Sequence, residues 1–355
     1  MPRTLHLSSL FLFAFLCWSS LPAQVSGGDN VYEFLNLSPS ARVSGLAGAL
    51  ISVRDDDVTL AQGNPALLNP KMHQQISVNH SFFLADIQHG YVAYGHEVPS
   101  LEATFHAGLQ YVNYGNFDAA DEFGQINGDF KAAEYALTLG GAKQIYDRLA
   151  LGANVRLINS QLESYDSYGI SADLGAYYQD STGRFSASFV LRNMGAQLST
   201  YREANQEELP FDIQIGISQK LKHLPFRFSI IYHNLQRWNI LYDDPNNEEG
   251  TLFLGSDEQQ GDDAFGDFVD NFFRHFIFNG EFLFGKKENF RLRVGYSHMR
   301  NQEMTVRSFR SLAGFAFGFG MKVNRFRIEY GRNVQHLAGG SNHFSISTAL
   351  SEFRR

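Results

Sequence analysis

At 355 residues with a formal net charge of -8, the chain is long for one soluble core, and no basic patch in it is built for nucleic acid. Aromatic residues make up 14% of it, as Phe 32 and Tyr 16 against Trp 2, alongside Gly 32 and Pro 9. That balance suits a sheet closed on itself with aromatic girdles. A mean hydropathy of -0.24 does not exclude a membrane barrel, because only alternate residues of such a barrel face lipid.

The first element is a targeting segment over residues 1–23. Arg3 supplies its charged start, Leu10 to Leu16 its apolar run, and Leu21-Pro22-Ala23 a cleavage site, so the mature chain is expected to begin near Gln24. The apolar run is shorter than the roughly 20 residues of a spanning helix, which argues against a membrane anchor. Cys17, the single cysteine, lies inside this segment. Leu16 stands where a lipoprotein signal needs a small residue, so no lipidation, disulfide or thiolate chemistry is expected. No later stretch holds the roughly 18 apolar residues of a transmembrane helix.

Residues 30–73 do not read as strands. Small residues dominate from Ser38 to Ala49, and Asp55-Asp56-Asp57 then precedes Val58-Thr59-Leu60-Ala61. Asp57 is placed to cap a short helix there, which Asn64-Pro65-Ala66 breaks. Consecutive carboxylates point in different directions, so a helix start near water fits better than a cation site.

From about Ile76 the pattern changes to period two. Phe211, Ile213, Ile215 and Ile217 alternate with Asp212, Gln214, Gly216 and Ser218. Phe290, Leu292, Val294 and Tyr296 alternate with Arg291, Arg293, Gly295 and Ser297. Successive strand side chains point to opposite faces, so one face is apolar and aromatic and the other carries Gly, Ser and Arg. A β-sandwich alternates in the same way. Several runs, however, reach the ~10 residues of a tilted membrane-spanning strand, against a mode of ~5–6 in soluble sheets. The expected fold is therefore all-β: a transmembrane antiparallel barrel over 74–355 in the outer membrane. Its strands number about fourteen, near 76–84, 87–97, 102–113, 131–145, 148–162, 168–179, 184–194, 211–221, 226–237, 274–286, 289–300, 309–322, 326–335 and 343–353.

Connection length tests the count. The even connections are short, such as Val98 to Leu101, Tyr146-Asp147 and Val323 to Arg325, whereas the long ones, about 114–130, 195–210 and 238–273, are all odd. Bacterial barrels have short periplasmic turns and longer external loops. Charge sorts likewise, with ten acidic residues and no Lys or Arg between Asp243 and Asp270. Within that loop Ala264, Phe265, Phe268, Val269, Phe272 and Phe273 are spaced for a short amphipathic helix, with Asp262 or Asp263 as cap. Such a helix either packs on the barrel rim or docks a partner.

Catalytic signatures are missing. No His-Glu-x-x-His, Gly-x-Ser-x-Gly or phosphate loop occurs, and the acidic loop lacks the spaced calcium-loop pattern. Gly318 and Gly320 lie in an alternating strand, where they would relieve barrel curvature. Neither catalysis nor a cofactor is expected.

The segment Tyr32-Glu33-Phe34-Leu35-Asn36-Leu37-Ser38-Pro39-Ser40-Ala41-Arg42, followed by Leu46 to Ala49, Arg54-Asp55-Asp56-Asp57 and Asn64-Pro65-Ala66-Leu67-Leu68, resembles the opening of the PorV/FadL-like outer-membrane barrels. The resemblance covers about forty residues. Its finer features point to the branch that serves the type IX secretion system. The resemblance implies a fourteen-stranded barrel whose N-terminal segment, 24–73, plugs the lumen, with Arg54 to Asp57 and Asn64-Pro65-Ala66 inside it. It also implies a role as a non-catalytic anchor for a PorZ-like surface protein, with PorU-like and PorV-like components attaching secreted cargo. Loop 238–273 would be the contact. The alternative it implies is FadL-like transport of hydrophobic small molecules. A barrel this wide needs something besides side chains to block it, and inward Arg156, Arg291, Arg293 and Arg327 are expected to pair with Asp55, Asp56 or Asp57. The chain ends Phe353-Arg354-Arg355, where barrel insertion signals usually end on the aromatic.

Overall fold

The computed structural model describes residues 30–202, 206–241, 264–285, 288–304, 312–336 and 339–353. The targeting segment, the acidic stretch 242–263 and Arg354-Arg355 lie outside the described residues. Fourteen strands form one closed antiparallel barrel in chain order. They are β1 Gln75–Phe82, β2 Gln88–Val98, β3 Ala103–Ala120, β4 Ile126–Tyr146, β5 Leu149–Leu162, β6 Tyr165–Gln179 and β7 Phe185–Ser199. The ring continues with β8 Asp212–Lys220, β9 Phe226–Tyr232, β10 Phe276–Phe284, β11 Phe290–Ser297, β12 Phe315–Val323, β13 Phe326–His336 and β14 Gly339–Ala349. β1 and β14 close it in continuous register from Gln75↔Ala349 to Phe82↔Asn342. Each strand is paired on both sides along at least part of its length, as a bilayer interior requires.

The period-two pattern has the expected consequence. On β10, Ile277, Asn279, Glu281 and Leu283 are buried while Phe282 and Phe284 are exposed. Leu151, Val155, Leu157, Phe189, Phe317, Phe319, Phe344 and Ile346 are likewise exposed on the outer wall. An apolar belt around a sealed ring, with Ser, Asn, Glu and Arg turned inward, is the surface of an outer-membrane barrel.

Four expectations are corrected. The segment 114–130 is not a loop, because β3 and β4 continue as a hairpin to Ala120↔Ile126. Polar residues there hide the strand, since a hairpin standing in water needs no apolar face. β9 ends at Tyr232 rather than 237: Asn234 turns left-handed (φ 55) and its N–H donates to Asp212. β11 stops at Ser297, and His298–Met304 is a helix. β14 ends at Ala349, followed by a turn over Leu350–Phe353 whose Phe353 ring packs 5.8 Å from Phe326.

The segment ahead of β1 folds as short turns inside the ring. Ser40 caps α1, Ala41–Ser44. Asp57 accepts from Thr59 N–H at the start of the 3-10 turn Val58–Gln62, and Asn64 caps the next, Pro65–Leu67. Asn64-Pro65 thus ends one turn and begins another. Leu35, Leu46, Leu60, Leu67, Leu68 and Met72 are fully buried. They form apolar clusters with inward residues of the wall, among them Tyr91, Ala150, Ile158 and Tyr177. Two helices stand at the external end, α2 Ala264–Arg274 and α3 His298–Met304.

Candidate functional site

The plug meets the wall where the wall lacks side chains. A Cβ on Gly152 of β5 would come within 2.5 Å of the Pro65 carbonyl carbon, and one on Gly331 of β13 within 2.1 Å of the Ala41 carbonyl oxygen. These are closer than any packed methyl tolerates, so glycine is what lets the plug backbone seat. Gly45 of the plug comes close to the wall too, since a Cβ on it would lie 3.0 Å from the Gly318 Cα.

A charge lattice locks the seat. Arg42, fully buried, donates to both oxygens of Asp55 (3.0 and 2.8 Å), to Asp57 (3.2 Å) and to Glu281 of β10 (3.2 Å). Arg227 of β9 also donates to Glu281, and Arg293 of β11 bridges Glu281 (3.2 Å) and Glu329 of β13 (2.6 Å). Arg327 grips Asp56 with two bonds of 2.9 and 3.0 Å, and Arg291 lies 3.6 Å from Asp55. Five guanidiniums (Arg42, Arg227, Arg291, Arg293, Arg327) thus balance five carboxylates (Asp55, Asp56, Asp57, Glu281, Glu329). Burial alone would raise the Asp55 carboxyl, but Arg42 overrides it and holds it well below the usual range. At Asp57 burial outweighs Arg42 and the shift is upward.

Two of the expected partners of the acidic run hold: Arg291 with Asp55 and Arg327 with Asp56. The other two do not, since Arg293 serves Glu281 and Glu329, and Arg156 serves Asp173. The main partner, Arg42, lies in the plug itself and was hidden in a small-residue segment. Arg54 turns away from the acids, donating to the Leu68 carbonyl (2.8 Å) and lying over the Tyr177 ring. Asn64 donates to Ile51 O (2.8 Å) and accepts from Ala66 N–H (3.0 Å). Pro65 and Ala66 press on Gly152.

Higher in the barrel the wall is irregular. β7 bulges opposite β6, with Arg192 and Asn193 facing the single residue Asp173 between the pairs Ala172↔Met194 and Leu174↔Leu191. Asp173, in its regular inward position on β6, accepts from Asn193 N–H (2.9 Å) and from Arg156 (2.8 Å). Arg156 also donates to Asn193 (2.8 Å) and to the Gln62 carbonyl of the plug (2.9 Å). Asn193 itself is left-handed (φ 56). β7 pairs with β8 only as far as Arg192↔Asp212, so Asn193 to Ser199 has a strand neighbour on the β6 side alone. The chain before β8 leaves the wall and turns inward. There Leu209 is buried beside Tyr32, Phe34 and Leu35, and Glu208 bridges Asn30.

Two open cavities meet there. A vestibule of about 450 Å³ lies above the plug, with Leu37, Ala47, Arg192, Asp212, Ile240, Met299 and Arg300 among its walls. A second, of about 510 Å³, occupies the break between β7 and β8, lined by Asn193 to Ala196 and Gln206 to Leu209. Glu208, Leu209 and Phe211 line both. Among the described residues Arg192 and Arg300 have no carboxylate in ion-pair range, and no group of residues is arranged to hold a metal ion. The irregular wall had one sequence signal, charged and amide side chains at inward strand positions.

The helix expected around 264–273 is present as α2. Phe268, Phe272 and Phe273 are exposed on it and Val269 is half-buried. Phe265 is in its first turn, with its side chain outside the described residues, as are Asp262 and Asp263.

No protein-family model and no curated relative matches the sequence. Among solved structures the chain is similar to the Pseudomonas putida toluene transporter TodX, at 12% identity and a TM-score of 0.49, covering 88% of this chain and 96% of that one. The monoaromatic hydrocarbon channel CymD gives 12% and 0.47 over 88% and 96%, and a Pseudomonas aeruginosa FadL homologue 11% and 0.45 over 87% and 97%. By its own geometry the chain is a fourteen-stranded outer-membrane β-barrel whose N-terminal segment is packed inside the ring.

Proposed function

We propose that this barrel takes up a small amphipathic molecule with an anionic end at its external mouth. The molecule passes above the plug and leaves sideways into the membrane, with no chemistry done on it. The observation that carries this reading is the meeting of the vestibule with the break in the wall at Glu208, Leu209 and Phe211. Straight passage is opposed by a plug packed against the wall on all sides and tied to it by ion pairs. Arg192 and Arg300 offer charge to an anionic end, and Leu37, Leu209, Phe211, Ile240 and Met299 offer apolar surface to the rest.

The test is uptake in vesicles reconstituted with the protein, using a fluorescent medium-chain carboxylate. Ala196 is exposed at the break, so Ala196→Trp fills the opening without touching the plug. The expected result is a severalfold slower transfer for the variant. Equal rates for wild type, variant and protein-free vesicles contradict the reading.

A second reading keeps the resemblance of residues 32–68: a PorQ-like barrel that holds a PorZ-like surface protein, with PorU-like and PorV-like components. What favours it is the packed lumen, which makes a rigid post of the barrel. It expects affinity capture from outer membranes to recover one surface protein with wild type and to lose it when residues 243–270 are removed. Identical recoveries argue against it.

A further inference from the structure

α2 sits where the apolar belt of the wall reaches its external end. Phe276 stands on the outer face there, the first residue of β10, with Tyr232 of β9 5.1 Å away across the strand pair. The helix extends that belt. The Phe272 ring is 5.0 Å from Phe276, and Phe273 is 6.4 Å from the same ring. Phe268 lies 5.7 Å from Trp238, which is itself half exposed.

The opposite side of the helix is polar and fixed to the protein. Asn271 accepts from Ile240 N–H (3.0 Å) and donates to the Trp238 carbonyl (2.7 Å). Asp270 accepts from Arg274 (2.8 Å) within the helix and from His298 of α3 (2.9 Å). At 3.6 residues per turn, Phe268, Val269, Phe272 and Phe273 fall within an arc of roughly 140°, with Asp267, Asp270, Asn271 and Arg274 on the other side. Large aromatic rings bared on one edge, continuous with a lipid-facing girdle and backed by acids, describe an element of the lipid–water boundary.

We infer that α2 lies in the plane of the external membrane boundary, with Phe268, Phe272 and Phe273 in lipid. The occupant of this apolar edge is lipid because the edge is the continuation of the wall's own lipid surface. A protein docked there would have to strip lipid from Phe276 as well. The inference does not depend on what the barrel carries.

In the full chain with Cys17→Ser, a cysteine introduced at position 268 is the sole one. Phe268→Cys and, separately, Asp267→Cys are labelled with an environment-sensitive fluorophore in phosphatidylcholine vesicles, and heat-modifiable gel mobility confirms the folded barrel. The expected result is severalfold stronger quenching by brominated phosphatidylcholine at 268 than at 267, and the reverse for aqueous iodide. Equal iodide access at the two positions with no effect of brominated lipid overturns the inference. So does shielding at 268 that arises only when other outer-membrane proteins, or a higher density of this one, are present.

Discussion

A guanidinium withdrawn from water costs several kcal/mol unless neighbouring carboxylates neutralise it. Arg42 is withdrawn completely, and its bonds reach Asp55 and Asp57 of the plug and Glu281 of the wall. Removing it leaves those carboxylates buried with too little positive charge. Arg42→Met is expected to weaken plug seating by about 3–5 kcal/mol, seen as faster proteolysis of residues 30–72 with the barrel's folded gel mobility kept. The lattice also sets an acid limit. Asp55 and Asp56 titrate below their ordinary 3.8, so their stabilisation is complete above that value and lost as pH falls through their lowered ones. Asp57, shifted upward, protonates first and relaxes the lattice before it breaks. Plug protection in wild type should therefore persist at neutral pH and fail only well below 3.8. Protection that fades near neutrality would contradict this.

The strands were legible because each inward or outward choice repeats every second residue. Phe226, Phe228 and Ile230 against Arg227 and Ser229 need no structure to be sorted onto two faces. The signal ends where both faces meet water, and for that reason the extension of β3 and β4 and the helix at His298 escaped it. The plug was legible as a segment with capped turns at Asp57 and Asn64, but its charge partners were not. Arg42 meets Glu281 across 239 residues of sequence, and nothing local marks the pair. The glycines of the wall were read as strand features, although Gly152 and Gly331 answer to the plug. Gly152→Ala adds a methyl where the Pro65 carbonyl sits. It should lift that turn at a cost of about 1–3 kcal/mol and raise ionic leak through the barrel, whereas an unchanged leak would remove the seat from this position.

At the scale of the whole molecule, a ring of fourteen strands encloses more space than wall side chains fill, and residues 31–72 take up the remainder. Among the described residues the wall is interrupted beside β7, where β8 starts late and the chain between them folds inward over the plug. A sealed axis beside an interrupted wall is the central claim, and planar-bilayer conductance of the wild-type protein tests it most directly. The expected trace is a closed baseline without the steady current of a water-filled pore. A persistent ohmic current from the undamaged protein would contradict the sealed axis, and the sideways route with it.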